Sequence, residues 1–333
     1  MNRGTGGRFE ELDVLRGIAA LGVIIFHYSG HCTRYFSGFP FHFTYGKYGV
    51  QLFFVISGFV IYYSLEKSRN WLDFAFSRFS RLYPIYWFVL SLTTVIHISI
   101  FDGQMWWGGY LTNMTMIQKY LGFKDIDEVF WTLAVELSFY VVMCILFVTK
   151  LLRWIITVSV IWLGLAAAWS IVEKRMGINL PSAVETFLIL PHIPFFIAGI
   201  MFSLINKKGS SITKFTIIMA SLATVWLKDG TENALIAALL FFVFGLAIYG
   251  KLKFSVSPIT LWLGGISYPL YLVHRNLGYE VLFKLEKQGL PSFTSFVFVL
   301  FGVLLLSTLL TYLIEKPSIQ VLRTWYKQNY RRG

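Results

Sequence analysis

The chain has 333 residues, 56% of them hydrophobic and 14% charged, with a mean hydropathy of +0.64. Polar residues this scarce cannot cover a soluble domain of that size, and repeated apolar runs of about 17 to 25 residues point to an all-α, polytopic membrane protein. A net charge of +12 would suit nucleic acid, but the basic residues gather at the ends of apolar runs and set topology there, so no nucleic-acid partner is expected.

Ten spans are predicted, at about 12–30, 47–64, 83–101, 129–149, 153–171, 185–205, 213–228, 233–250, 259–283 and 293–314. With the N-terminus in the cytoplasm, roughly twice as many Lys and Arg residues fall inside as outside, among them Arg3, Arg8, Arg331 and Arg332. An even number of spans then puts both termini in the cytoplasm. The first run is interrupted by Arg16 and has no clear small-residue cleavage site, so it does not read as a signal peptide. No repeat and no separate soluble stretch appears. The expectation is one membrane-embedded domain over 1–333, with spans within 12–315 and a basic tail, 316–333, that anchors at the membrane surface. Cys32 and Cys144 fall at a helix exit and inside a span, which argues against a disulfide or metal framework.

The first span reads LDVLRGIAALGVIIFH, from Leu12 to His27. Arg16 lies toward the cytoplasm and His27 toward the outside. At about 100° per residue their spacing puts both on one helix face, about 16 Å apart. Charges in a span are costly and normally face a bundle interior or a wet cavity; the competing reading is a snorkelling Arg16 and an interfacial His27. In the second span, Gly46, Gly49 and Gly58 leave room for another helix or for a thin ligand chain. Ser57 can bond a ligand or its own backbone. In the cytoplasmic stretch that follows, Arg78 and Arg81 share a face if it is helical, and Pro84 suits the first turn of the third span. These arginines read either as headgroup anchors or as a clamp for a phosphate-bearing ligand.

The outer loop from Asp102 to Glu128 carries Trp106, Trp107, Tyr110, Asn113 and Tyr120, which would suit a sugar platform or an interfacial belt equally. The fourth span opens with WTLAVELSFY, in which Thr132, Glu136 and Tyr140 line one face and Trp131 sits at the outer interface. Glu136 is either a functional acid or half of an ion pair, with Arg275 nearer by depth than Arg16. Spans five to eight read as lipid-facing, except that Pro191 and Pro194 should kink the sixth, where His192 reads as an interior histidine. In the ninth span Ser267, Tyr271 and His274 share a face, with Pro269 bending the helix. The chain closes with IEKP, Glu315 to Pro317.

Taken in order, LDVLRGIAALGVIIFH, GVQLFFVISGF, SRFSRLYPIYW, WTLAVELSFY, ISYPLYLVH and IEKP resemble the acyltransferase family 3 membrane proteins, which O-acylate cell-envelope sugars. The resemblance implies an acyl donor, usually acetyl-CoA, used as a co-substrate from the cytoplasm, and an acceptor modified on the outer face. By position, Arg16 and His27 look like the family's essential pair, and Arg78 and Arg81 like its arginine motif, with donor binding as the implied role. Ser77 departs from the basic residue that relatives often have there. No esterase-like domain of the kind some relatives append is found, so the transfer chemistry is expected within the membrane part.

The expected mechanism follows. Arg78 and Arg81 hold the donor phosphates, and the pantetheine arm threads past Ser57, Gly58 and the other glycines of span two. His27 is the general base and Glu136 orients it, with Arg16 also assigned to catalysis. Trp131, Tyr140, Tyr271 and His274 are assigned to the acceptor. No metal is called for. Direct transfer and an acyl-enzyme fit equally. The acceptor is expected to be a lipid-linked O-antigen or exopolysaccharide unit, and the location a bacterial inner membrane, among its lipids. Acylation of a secreted small molecule and transport are the alternatives.

Overall fold

The computed structural model describes residues 9–35, 39–101 and 107–330. Arg3, Arg8, Asp102, Trp106, Arg331 and Arg332 lie outside the described residues. Eight helices are long and apolar enough to cross a membrane, and among the described residues there is no strand. The first, α1 (Glu10–Tyr35), is unbroken through Arg16 and His27. After α2 (Gly49–Leu65), α3 runs from Trp71 to Phe101 with Pro84 in its interior. Pro84 therefore lies well inside the helix and not in the expected first turn. The helix begins earlier because Asn70 accepts from the Asp73 N–H at 2.8 Å and caps it.

The outer connection holds the short helix α4 (Trp107–Met114) and leads into α5 (Trp131–Val148). Next come α6 (Ile155–Met176), α7 (Ser182–Leu188) and α8 (Ile193–Lys208). Pro191 and Pro194 mark a complete break between α7 and α8 rather than a kink, with Ile189 in the left-handed region at φ 58°. The expectation that spans five to eight face lipid fails for α8, whose span is 83% buried. Hydropathy cannot separate a helix buried in protein from one facing lipid tails, because both surroundings are apolar. Lipid-type faces do appear on α6, with Val160, Ile161 and Leu165 exposed.

The eight long helices differ from the ten expected spans in two places. The seventh and eighth expected spans form one helical stretch, α9 (Ile212–Ile248), broken at Gly230, whose φ of 86° and ψ of −177° suit only glycine. The chain reverses there. Lys214 reaches the Gly209 carbonyl beside the end of α8, Lys174 reaches the Leu227 carbonyl near the far end of α6, and Phe244 is back against Phe59 and Phe202. The expected ninth span is the 16-residue α10 (Pro258–Val273), about 24 Å long and short for a bilayer. It ends at His274 and Arg275, where α11 (Asn276–Lys287) sets off separately. Then α12 (Ser292–Leu310) passes through a π-helical turn, Thr311–Glu315, into α13 (Lys316–Tyr330).

Glycines set the closest helix pairs. A Cβ on Gly264 of α10 would lie 2.2 Å from the Asp13 carbonyl of α1, and one on Gly49 would lie 2.5 Å from the Ala19 carbonyl. Between α2 and α8, Cβ atoms on Gly58 and Gly199 would each lie 2.1 Å from a backbone oxygen of the other helix. The resulting bundle has two functional ends. One carries Arg78 and Arg81, together with the beginning of α1 and all of α13; the other carries His27 and the α10–α11 break.

Candidate active site

Helices α1, α2, α3, α5 and α10 surround a cavity with about 780 Å³ of space free of protein atoms. Arg16, Arg78 and Arg81 line its one end, Glu136 and Tyr140 its middle, and Thr132 and Tyr271 its far end. The i, i+4 stripe on α5 delivers Thr132, Glu136 and Tyr140 to it together. The Glu136 carboxylate accepts from Ser57 Oγ at 2.9 Å and from the Tyr140 hydroxyl. Arg16 lies 4.0 Å from Asp13, one turn before it, and Glu315 of the π-helical turn faces both Arg16 and Arg81. Arg78 stacks its guanidinium over Phe74 at 5.7 Å, and its Nε is buried with no hydrogen-bond partner. Arg81 is close enough to Arg16, Arg78 and Arg323 to repel all three. Cations crowded this closely are costly to bury even beside carboxylates, and the unpartnered Arg78 Nε is the donor at this end suited to an anion.

At the other end, His27 Nδ1 lies 3.1 Å from the Tyr279 hydroxyl. The same hydroxyl lies 3.1 Å from the His27 carbonyl. With its single proton given to that carbonyl it accepts from Nδ1, the arrangement that leaves a lone pair on Nε2, as a base requires. The His274 ring is 5.2 Å from that of His27. Its Nδ1 donates to the Tyr271 carbonyl at 2.7 Å, while its Nε2 is buried and unpartnered. Tyr271, which accepts from Thr132 at 3.1 Å, joins the cavity to this pair, its ring 5.4 Å from that of His274.

The break that exposes this corner is pinned from three sides. The Tyr28 hydroxyl donates to the His274 carbonyl at 2.6 Å, Asp127 accepts from the Asn276 N–H at 3.1 Å, and Arg275 pairs with Glu128. Asp127, in the connection before α5, is 1% exposed. Burial pushes its carboxyl up to about 6, against the bonds it accepts from Val129 and Asn276 and the charge of Arg275.

The acyltransferase domain of acyltransferase family 3 matches residues 9–312. The chain belongs to this family. It is 28% identical over 312 residues to a Staphylococcus aureus (strain COL) protein provisionally named an O-acetyltransferase, covering 79% of this chain and 49% of that protein. Similarity to O-acetyltransferase OatA of Staphylococcus aureus (strain NCTC 8325 / PS 47) is 25% over 313 residues, with the same two shares. To acyltransferase MdmB of Streptomyces mycarofaciens it is 25% over 268 residues, 69% of this chain and 68% of that protein. The chain thus spans about half the length of the first of these curated relatives. No solved structure matches it.

Within this family 3 domain the sequence-derived candidates divide. Arg16, Ser57, Arg78, Arg81, Glu136, Tyr140 and Tyr271 line one cavity. His27 and His274 adjoin its far end without lining it. Four expectations need correction. Gly46, Gly49 and Gly58 face α1 and α8, not the cavity, so no donor arm threads past them; their missing side chains serve helix contact. Glu136 is held at mid-cavity by Ser57 and Tyr140, while His27 Nδ1 meets Tyr279, so Glu136 does not orient His27. Arg275 is engaged by Glu128 and is not the partner of Glu136. Trp131 is half-buried against Phe54 and His192, with ring centroids 6.4 and 5.2 Å away, and takes no part in the lining.

In the outer connection, Tyr110, Asn113 and Tyr120 are tied to Ser91, to the Gly109 and Lys124 carbonyls, and to Ser138. Only Trp107, 66% exposed, remains open there among the described members of that set. Sequence reasoning missed Tyr279 and the place of Glu315. The IEKP segment had signalled an acid at a span end; nothing local signalled Tyr279.

Proposed function

We propose that the chain transfers an acetyl group from acetyl-CoA to a hydroxyl of a cell-envelope sugar, an O-antigen or exopolysaccharide unit carried on a lipid. The observation that carries this reading is a single cavity with an arginine cluster at one end and, next to the other, a histidine whose Nδ1 meets the Tyr279 hydroxyl. The residues suit the donor: the orphaned Arg78 Nε, with the Arg81 guanidinium beside it, suits phosphate. Acetyl-CoA supplies, when bound, an acyl group activated as a thioester.

The chain's own residues do the rest. Arg78 and Arg81 bind the donor phosphates at the cytoplasmic face, and Arg16 carries the positive field inward along α1. Glu136, fixed by Ser57 and Tyr140, balances that charge at mid-cavity. With donor and acceptor bound, His27 Nε2 would take the proton of the acceptor hydroxyl as that oxygen bonds to the acetyl carbon. It would return that proton to the sulfur released when the thioester C–S bond breaks, with Tyr279 at Nδ1. Tyr271 and His274 form the wall between donor cavity and acceptor side. The domain works as one membrane-embedded unit in a bacterial inner membrane, both ends of the chain at the cytoplasmic face. The names of the O-acetyltransferase relatives support a hydroxyl as acceptor.

Mass spectrometry of surface polysaccharide tests this, from cells with the gene, without it, and with His27→Ala. An acetyl mass on the repeat unit that disappears in both deficient strains is the expected result. An unchanged acetyl content in the His27→Ala strain overturns the assignment of the base, and no acetyl in any strain overturns the acceptor class.

A further inference from the structure

The charged helix α13 is not used by the reaction as derived so far. It packs along the start of α3, with the rings of Tyr326 and Phe76 stacked at 4.3 Å and Trp325 6.1 Å from the same ring. Between the two helices, Arg323, Tyr326 and Lys327 face Asp73, Phe76 and Ser77 across a hollow of about 530 Å³. A second hollow of about 590 Å³ shares Asp73 and Ser77 with the first and includes Lys67 and Arg78. Arg78 also lines the membrane cavity. The three hollows therefore adjoin in a row from α13, past Ser77 and Arg78, to Glu136. Cations mark the row in sequence, with Arg323 outermost, Arg78 and Arg81 next, and Arg16 deepest.

This order matches the order of groups along coenzyme A. A thin pantetheine arm precedes a diphosphate, and beyond the diphosphate come the ribose 3′-phosphate and adenine. If Arg78 and Arg81 hold the diphosphate, the next anion along the thread reaches Arg323. Glu315, Asp13 and Glu136 face Arg16, Arg78 and Arg81. Arg323, by contrast, has no carboxylate within ion-pair distance among the described residues; Arg81 repels it, and it shares its hollow with Lys327 as well as Asp73. A guanidinium fork without a carboxylate is suited to phosphate oxygens. The position of Ser77 fits too: a basic side chain there is not needed if α13 supplies one from the opposite wall.

We propose that α13 forms the outer half of the donor site, with Arg323 binding the ribose 3′-phosphate of coenzyme A. The proposal rests on the acetyl-CoA reading above. It replaces the view of the tail as a membrane-surface anchor, in which the anion would be a lipid headgroup.

The test compares binding of coenzyme A and dephospho-coenzyme A, which lacks only the 3′-phosphate, to the full chain in nanodiscs of phosphatidylcholine alone or with added phosphatidylglycerol. The wild type should bind coenzyme A about tenfold more tightly than dephospho-coenzyme A, the effect of one charge-assisted contact. Arg323→Ala should erase that preference and leave dephospho-coenzyme A binding unchanged, and Arg323→Lys should restore part of it. Arg323 is exposed, so its removal leaves the packing of the bundle intact. A preference that survives Arg323→Ala overturns the proposal, as does an effect seen only with phosphatidylglycerol, which would make the anion a headgroup. If Arg78→Ala loses coenzyme A while Arg323→Ala keeps the preference, the donor reading stands and the role of α13 falls. If the wild type binds neither compound, the donor reading itself falls.

Discussion

Tyr279→Phe isolates one hydroxyl at the proposed base. That hydroxyl accepts from His27 Nδ1 and donates to the His27 carbonyl, each at 3.1 Å. The phenyl ring keeps its other contacts, a stack on His31 at 4.6 Å and the Arg275 guanidinium at 5.5 Å, so the corner should hold its shape. Without the hydroxyl, nothing selects the tautomer with the proton on Nδ1, and the ring is freer to turn. A neutral hydrogen bond contributes about 0.5–1.5 kcal/mol net, which corresponds to a loss of roughly two- to tenfold in the productive population of His27. The arginine cluster begins about 16 Å away along α1, so donor affinity should not change. The assay is transfer of radiolabelled acetyl from acetyl-CoA in proteoliposomes supplied with acceptor lipid. The kcat of Tyr279→Phe should fall about fivefold with KM for acetyl-CoA constant, against a loss of about 10²–10⁴ for His27→Ala. A wild-type kcat in Tyr279→Phe, or a rise in donor KM without a fall in kcat, would refute the positioning role.

Further outcomes follow from other parts of the bundle. Gly58→Ala puts a Cβ 2.1 Å from the Phe196 carbonyl and should separate α2 from α8 at a cost of about 1–3 kcal/mol, read as a lower melting temperature; unchanged melting with a raised donor KM would return Gly58 to the donor path. Ser57→Ala removes one of the two hydrogen bonds on Glu136 and should slow turnover a few-fold, by about 1 kcal/mol, with melting nearly unchanged; a large drop in melting would make the bond structural instead. Asp127 predicts a pH dependence. Its folded-state value of about 6 exceeds the ordinary 3.8, so the fold favours the protonated form, and the stability it adds is complete below about pH 4 and lost as pH rises through about 6. Melting temperature should fall across that window, and Asp127→Asn should flatten the fall. Parallel profiles for the two proteins would show that another group governs it.

What the sequence made legible is what a single helix carries by itself. The Arg16 to His27 spacing survives because α1 is continuous, and the α5 stripe survives because i, i+4 residues share a face whatever surrounds them. Direction toward a partner is a different matter. Gly58 and Ser57 are neighbours in one helix, yet the glycine meets α8 and the serine meets Glu136. Their chemistry suggested a shared role that the 100° between them excludes. Tyr279 sits 252 positions from His27, and no periodicity links them. The contact exists because α10 stops at His274 and α11, which sets off separately, brings Tyr279 against the end of α1. That stop was read as a Pro269 bend, but the helix runs through Pro269 and ends one turn later, where Asp127, Glu128 and Tyr28 tie down the chain. The histidine corner thus depends on a tertiary clasp assembled from three separate segments. Hydropathy records where each segment enters the membrane and carries no information on how they grip one another, so His27 was legible as a candidate and the hydroxyl that meets its Nδ1 was not.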